Sequence, residues 1–169
     1  MTQNKLDISR ATEAVKAARF VEALSLLESN LAKDPNHIDS LYLAAVCSRY
    51  LKNYDDSKKY IESLLSKAPD MGRAYQELGH LNRDTGNGEN AIAHYRQACE
   101  LNPALLSSWK ALFDYFQRNK NKPAADHAFM QMNTLQSIPS ILLYISQILN
   151  EGKLGIAEEK CREFLKKNP

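Results

Sequence analysis

Apolar residues recur along this chain at the spacing of helix faces, in pairs of segments that short polar turns separate. The clearest pair occupies GRAYQELGHLNRDTGNGENAIAHYRQACELNP, in which TGNGEN forms the turn. Gly86 and Gly88 can both adopt positive φ in that turn, which ends one helix before the next begins. Pro103 ends the second segment, because a proline forces the residue before it out of the α region. The pattern predicts a helical hairpin.

The hairpin recurs at one fixed length. Pro35, Pro69 and Pro103 are evenly spaced along the sequence (35 to 69 and 69 to 103), and each follows a helix-like segment. A hairpin alone cannot cover its own apolar face, so neighbouring hairpins must stack and share a core. The sequence therefore predicts an all-α fold, with five helix-turn-helix repeats in one domain. Their expected bounds, with a fourth repeat two residues short, are residues 4–37, 38–71, 72–105, 106–137 and 138–169.

Aromatic, small and proline residues of the third repeat follow a definite order. They are Tyr75, Leu78, Gly79, Ala91, Tyr95, Ala98 and Pro103. This order matches the signature of the tetratricopeptide repeat (TPR) family, which the repeat resembles. The fourth repeat keeps Trp109, Leu112, Ala125 and Phe129 at the corresponding places. The resemblance implies a right-handed αα-superhelix, the TPR solenoid, in which the first helix of each repeat lines a concave groove.

Composition narrows the possible partners and locations. The chain has 169 residues, of which 44% are hydrophobic and 25% charged, and these values are ordinary for a globular protein. A formal net charge of +2 is too mild to indicate a nucleic-acid partner. The first residues, MTQNKLDISR, contain no apolar stretch of a secretory signal, and no apolar run approaches the roughly 18 residues of a membrane span. We therefore expect a cytoplasmic protein with no membrane partner.

No motif in the chain indicates catalysis, a metal or a cofactor. The GxG of TGNGEN lacks the preceding strand and the third glycine of a dinucleotide-binding loop. The four histidines form no HExxH motif, and the three cysteines lie too far apart for a CxxC or zinc spacing. We expect Cys47, Cys99 and Cys161 to be buried as small apolar residues. The sequence predicts that these residues do not form an enzyme.

The TPR resemblance also implies a binding surface, because the family binds peptides mainly through the concave side of its first helices. The corresponding positions supply ten candidates for contact with a partner, and three repeats contribute them. They are Tyr42, Arg49, Tyr50, Arg73, Gln76, His80, Arg83, Lys110, Asp114 and Arg118. Among them, Tyr42 and Tyr50 either stack on a ligand or belong to the core.

Five of these candidates form a predicted basic strip, which consists of Arg49, Arg73, Arg83, Lys110 and Arg118. Arg49 and Arg83 occupy the same position in consecutive repeats, so a regular stack places them side by side. Arginines suit carboxylates and phosphates, since the guanidinium group binds them bidentately. Charge reversal at Arg49 and Arg83 is then expected to abolish binding of an anionic partner and to leave the helices intact. In the alternative, Asp39, Asp84 and Asp114 pair with the arginines and solvate the face.

A second resemblance covers most of the chain. The runs MGRAYQELGHLNRDTGN, HYRQACELNPALLSSWKAL and LNEGKLGIAEEKCREFLKKNP resemble the N-terminal repeats of bacterial proteins that join TPRs to a sulfotransferase domain. This resemblance implies a longer protein, in which these repeats recruit the substrate and a catalytic domain follows residue 169.

Three functional hypotheses follow. The main one is an interaction scaffold that binds a protein or peptide in the groove, and the basic strip favours an acidic partner. The second is the substrate-recruiting arm of a sulfotransferase. The third is a module that associates with itself, because an uncapped end of a repeat array exposes apolar surface.

Overall fold

A computed structural model describes residues 3–167 of this chain, and the side chains of residues 7–167. The described residues form ten α-helices and no strand, which confirms the predicted all-α fold. The helices are α1 (Gln3–Lys16), α2 (Phe20–Lys33), α3 (Ile38–Tyr50), α4 (Tyr54–Lys67), α5 (Gly72–Asp84), α6 (Gly88–Leu101), α7 (Leu106–Arg118), α8 (Lys122–Ser137), α9 (Ser140–Asn150) and α10 (Leu154–Lys167). The ten helices form five consecutive pairs, whose first members begin at residues 3, 38, 72, 106 and 140. The members of a pair are called its first and second helix.

One kind of turn joins the two helices of each pair. The second residue after each first helix has positive φ, and these residues are Ala18 (56°), Lys52 (63°), Gly86 (84°), Lys120 (54°) and Gly152 (71°). The first four are evenly spaced in the sequence (18, 52, 86, 120), whereas the last step, from 120 to 152, is two residues shorter. The backbone therefore repeats with the predicted period and has the predicted two-residue shortening in the fourth repeat.

Two backbone hydrogen bonds close each of these turns. In the third pair, the N–H of Gly86 donates to the carbonyl of Arg83 (3.1 Å), and the N–H of Asn87 donates to the carbonyl of Asn82 (2.7 Å). This is the Schellman arrangement, which satisfies carbonyls at the end of a helix. The prediction of positive φ is correct for Gly86 and wrong for Gly88. Gly88 begins α6, and the first residue of a right-handed helix takes negative φ.

The chain divides into two compact units. Unit 1 comprises residues 1–70 and 77–91, and unit 2 comprises residues 71–76 and 92–169. Small side chains dominate the core that α1, α2 and α3 form in unit 1, which consists of Ala11, Ala14, Ala23, Leu27, Ala44 and Cys47. Ser57 of α4 is buried as well, and its hydroxyl donates to the carbonyl of Ala45 (2.9 Å). The polar atom is therefore satisfied inside the core.

In unit 2, glycine and proline residues fix where helices meet and begin. A Cβ added to Gly72 would lie 3.0 Å from the carbonyl oxygen of Ala98 and 3.0 Å from the Cβ of Asn102. The start of α5 can approach the end of α6 this closely because position 72 has no side chain. Pro123 lies in the first turn of α8, where its missing N–H costs no hydrogen bond. Among residues 3–167, none of the helices is both long and apolar enough to cross a membrane.

Candidate functional site

Arg49 lies at the centre of a charged cluster in unit 1. It sits in the last turn of α3 and is buried, with 7% of its surface exposed. Its Nε donates to Glu77 Oε2 (2.7 Å), its Nη2 donates to Glu77 Oε1 (3.3 Å), and its Nη1 donates to Asp84 Oδ2 (3.0 Å). Glu77 is also buried, with 3% of its surface exposed. Two carboxylates of α5 therefore bind one buried guanidinium group from the preceding repeat. We call Arg49, Glu77, Arg83 and Asp84 the Arg49 network.

Arg83 completes the Arg49 network from the solvent side. Its Nε and Nη2 donate to Asp84 Oδ1 (3.0 and 2.8 Å), while Arg49 uses the other oxygen of the same carboxylate. Arg49 and Arg83 are therefore neighbours, with Asp84 between them. Two positive charges meet two negative ones in this network, so its net charge is zero.

The network alters the pKa of Arg49 and of Asp84, and burial alters the pKa of nearby His80. Burial by itself lowers the pKa of Arg49, but the hydrogen bonds and charge of Glu77 and the hydrogen bond to Asp84 outweigh it and raise that pKa. Burial by itself raises the pKa of Asp84, but the hydrogen bonds from Arg83 and Arg49 outweigh it and lower that pKa. Burial also lowers the pKa of His80, which favours the neutral imidazole.

Tyr50 is an exposed aromatic side chain that its neighbours hold in place. Its ring stacks on Phe20, with centroids 4.4 Å apart and planes 1° from parallel. The guanidinium carbon of Arg49 lies 4.5 Å from the centroid of the same ring. Tyr50 is nevertheless 54% exposed, whereas Tyr42 is buried and belongs to the core. Of the two tyrosines, Tyr50 therefore has the accessible ring that a partner could contact.

In unit 2, side chains of the same unit hold Arg73 and Gln76. Arg73 Nη1 donates to Glu151 Oε1 (2.8 Å), and Glu151 also accepts from Lys153 Nζ (2.8 Å). Burial by itself raises the pKa of Glu151, but the charges of Arg73 and Lys153 and their hydrogen bonds lower it. Gln76 Oε1 accepts from the hydroxyl of Ser108 (3.1 Å). Within unit 2, Arg73 thus helps to hold the start of α5 against the end of α9.

The remaining candidates lie on α7. Lys110, Asp114 and Arg118 are exposed and one helical turn apart, so they share one face of the helix. Arg118 Nε donates to the backbone carbonyl of Asp114 (3.0 Å), which holds its guanidinium along that face. This trio, called the α7 surface, carries two positive charges and one negative charge. These three side chains are exposed, whereas the other candidates of unit 2, Arg73 and Gln76, are partly buried.

Two members of the predicted basic strip are not free cations. Buried Arg49 is engaged by Glu77 and Asp84, and Arg73 is paired with Glu151. Reversing Arg49 and Arg83 is therefore expected to damage the fold and not only the binding of a partner. A glutamate at position 49 would place a third carboxylate against two others in a buried site, which destabilises the fold as well as any interaction. The alternative prediction, pairing with acidic residues, is correct for Asp84.

Sequence reasoning missed Glu77 and Glu151, the carboxylates that neutralise these arginines. Glu77 lies directly beside the signature residue Leu78 and is 28 residues from Arg49. Glu151 is 78 residues from Arg73. The position of Glu77 next to an apolar signature residue of a first helix could have indicated that this glutamate is buried. The sequence contains no comparable signal for Glu151.

The described residues also bear on metal and thiol chemistry. Within this part of the chain, no cluster of three His, Cys, Asp or Glu side chains is placed to hold a metal ion. Cys47 and Cys99 are buried, and burial raises the pKa of these thiols to about 11 and about 12. Cys161 is only half-buried, so the prediction that all three cysteines are buried holds fully for two of them.

Two family models match overlapping parts of the chain. Both describe the tetratricopeptide repeat, and they match residues 14–81 and 72–105. Residues 14–105 are tetratricopeptide repeats. The TPR resemblance is thereby confirmed, and the Schellman turn repeated at residues 18, 52 and 86 belongs to these TPRs.

Solved structures show the same TPR fold. MamA 41-end from Desulfovibrio magneticus RS-1 is 19% identical with a TM-score of 0.66, over 79% of this chain and 76% of that one. A second structure of MamA protein is 18% identical with a TM-score of 0.63, over 96% of this chain and 88% of that one. A Thermobaculum terrenum O-GlcNAc transferase mutant, K341M, is 19% identical with a TM-score of 0.64, over 69% of this chain and 23% of that one. No curated protein sequence matches the chain. At these identities the likeness concerns the fold, and the link to a sulfotransferase stays a prediction.

Proposed function

We propose that these TPRs form a non-catalytic scaffold, which binds a protein or peptide partner through exposed side chains of its first helices. The observation that carries the proposal is the pair Tyr50 and Arg83. Both side chains are about half exposed. The ring of Tyr50 is held by stacking on Phe20, and Arg83 is held by its hydrogen bonds to Asp84. Side chains fixed before a partner arrives lose little conformational freedom on binding, which favours affinity.

The exposed cations favour partner segments that carry carboxylates. Arg83 in unit 1 and Lys110 and Arg118 of the α7 surface remain accessible, and each can donate to an acidic side chain. Tyr50 adds a flat apolar surface, and tyrosine is enriched among the residues that dominate binding energy. The proposed partner segment is therefore acidic and includes a group that packs on an aromatic ring. The proposal places the scaffold in the cytoplasm, where its cysteines stay reduced.

A quantitative pull-down with matched variants tests this function. The purified chain serves as bait in a lysate of cells that carry its gene, and captured proteins are measured by mass spectrometry. The surface variant combines Tyr50→Ala with Arg83→Gln, and a second variant combines Lys110→Glu with Arg118→Glu. The control combines Lys58→Glu with Lys59→Glu, because both lysines are exposed on α4, a second helix.

We expect the wild-type chain and the control to enrich the same proteins, and at least one surface variant to lose them by about tenfold or more. Circular dichroism checks that every variant keeps its helices. Capture that is equal in both surface variants and the wild type would remove the first helices as the binding surface. A wild-type bait that enriches nothing over empty resin would remove the scaffold function.

A further inference from the structure

Helices α6, α7 and α8 of unit 2 surround a pocket of about 440 Å³ that none of the ten predicted residues lines. Its size falls within the range of pockets that bind small molecules, about 300–1,000 Å³. Leu112, Phe116 and Ala128 form its buried floor, and Trp109 forms one wall. We call it the Trp109 pocket.

Polar atoms inside the Trp109 pocket already have partners. The indole N–H of Trp109 donates to the backbone carbonyl of Pro103 (2.8 Å), which also fixes the orientation of the ring. The thiol of Cys99 is hydrogen-bonded with Ser108, and burial raises its pKa to about 12, so it stays neutral. The interior therefore presents carbon surface and satisfied polar groups. Such a surface gains by releasing water and contacting an apolar group.

The rim of the Trp109 pocket is polar and of mixed charge. Arg96 and Glu100 stand one turn apart on α6, and His127 stands on α8. The Arg96 guanidinium carbon lies 5.3 Å from the ring centroid of Phe116, and the ring of His127 meets that of Trp109 edge-on at 5.5 Å. Arginine supplies donors and glutamate supplies acceptors, and every peptide unit offers one of each in return.

These features fit one kind of occupant. We infer that the Trp109 pocket receives a large apolar side chain of a partner protein, phenylalanine in size, whose peptide backbone lies across the rim. The mixed charge of Arg96 and Glu100 disfavours a ligand of uniform charge, and it complements the dipoles of a peptide. Large side chains inserted into desolvated pockets often dominate the energy of protein interfaces. The inference rests on the proposed scaffold function and adds a second contact surface, built from second helices as well as α7.

The test uses a probe that carries only the features of this occupant. N-acetylphenylalanine methylamide has one aromatic side chain and two peptide groups, whereas N-acetylglycine methylamide has the peptide groups alone. The chain contains a single tryptophan, so Trp109 fluorescence reports directly from the pocket wall. We expect the phenylalanine probe to change this fluorescence saturably, with a dissociation constant on the order of 1 mM for a ligand of this size. We expect no saturable response to the glycine probe.

Two alanine-to-leucine variants locate the response. Ala124 lines the pocket, so Ala124→Leu fills part of it and should weaken the phenylalanine probe at least tenfold. Ala93 is exposed on α6 and does not line the pocket, so Ala93→Leu should leave the response unchanged. Glu100→Gln and Arg96→Gln, both at exposed positions, should each weaken the probe several-fold, and they keep the test valid if Ala124→Leu fails to fold.

The possible outcomes separate the pocket from the scaffold function. No saturable response in the wild type, an equal response to both probes, or equal weakening by Ala93→Leu and Ala124→Leu overturns the pocket. A silent probe together with a normal pull-down overturns the pocket alone. A responding probe that the pocket variants weaken supports the inference, even where variants of the first helices leave the pull-down unchanged.

Discussion

At the scale of single residues, three turn positions hold side chains in a conformation that usually favours glycine. Ala18, Lys52 and Lys120 have φ between 54° and 63°, whereas Gly86 and Gly152 serve the equivalent turns. A side chain in the left-handed region costs about 1 kcal/mol or more. The hydrogen bonds of the Schellman arrangement offset this cost, because they satisfy carbonyls that the helix end would leave open.

The two glycines of the third turn lead to opposite predictions. Gly86→Ala should destabilise the chain by about 1 kcal/mol, since φ at this position is 84°. Gly88→Ala should be neutral or should stabilise by up to about 1 kcal/mol, because alanine favours the helix that begins there. A Cβ added at either position would have no atom within 4 Å, so differences in packing do not contribute to the difference in stability between the two variants.

Urea unfolding followed by circular dichroism measures both variants. The two residues lie in one turn, so each variant is the control for the other. Equal destabilisation by the two substitutions would show that the loss of stability does not depend on the sign of φ at the substituted glycine.

At the scale of the helical element, the Arg49 network fastens α3 to α5 within unit 1. The repeat period predicted that Arg49 lies on a first helix and near Arg83, because the two arginines occupy the same position in consecutive repeats. It did not reveal that Arg49 is buried, because burial depends on Glu77, 28 residues away. A helix-face pattern distinguishes apolar from polar positions, and it has no means of identifying a polar pair that the fold buries.

The network predicts a strongly coupled pair. Arg49→Met leaves Glu77 buried without its partner and should cost about 3–5 kcal/mol of unfolding free energy. Glu77→Leu should also destabilise the chain. The double variant removes both buried charges, so it should be more stable than the sum of the single effects predicts, by about 1–3 kcal/mol.

A double-mutant cycle in urea provides the measurement. The matched control is the cycle of Arg162→Met and Glu158→Leu on α10, an exposed pair at 2.7 Å, where coupling should not exceed about 0.5 kcal/mol. Additive effects at Arg49 and Glu77 would contradict a buried ion pair.

At the scale of the whole molecule, the fold was predictable and the charge balance of the candidate site was not. Evenly spaced prolines and two amphipathic segments per period were enough to predict the helix pairs, including the shorter fourth repeat. A period fixes where each helix lies in the repeat. It does not determine which side chains from other repeats meet there, so Glu151 could not be assigned to Arg73 from spacing alone. The Trp109 pocket escaped prediction for the same reason, because three helices contribute to it.

The Arg73–Glu151 pair makes the stability of the molecule depend on pH in a definite direction. The pKa of Glu151 in the folded protein lies below its ordinary value of 4.5. A lowered carboxylate pKa contributes stability above the ordinary pKa, and this contribution is lost as the pH falls through the folded value. Glu151→Gln should therefore be less stable than the wild type at pH 7, by about 1–3 kcal/mol, since the buried carboxylate binds two cations.

The difference should narrow as the pH falls below the ordinary carboxylate pKa of 4.5 and through the lower pKa of the folded protein, where the wild-type carboxylate takes up its proton and resembles the neutral amide. Urea unfolding at pH 7, 5, 4 and 3 measures both proteins. Glu158→Gln is the matched control, because Glu158 is exposed on α10 and should give a small difference at every pH. A gap between wild type and Glu151→Gln that stays constant down to pH 3 would mean that Glu151 is not held as a carboxylate by Arg73 and Lys153. In that case another interaction within unit 2 would have to hold the start of α5 against the end of α9.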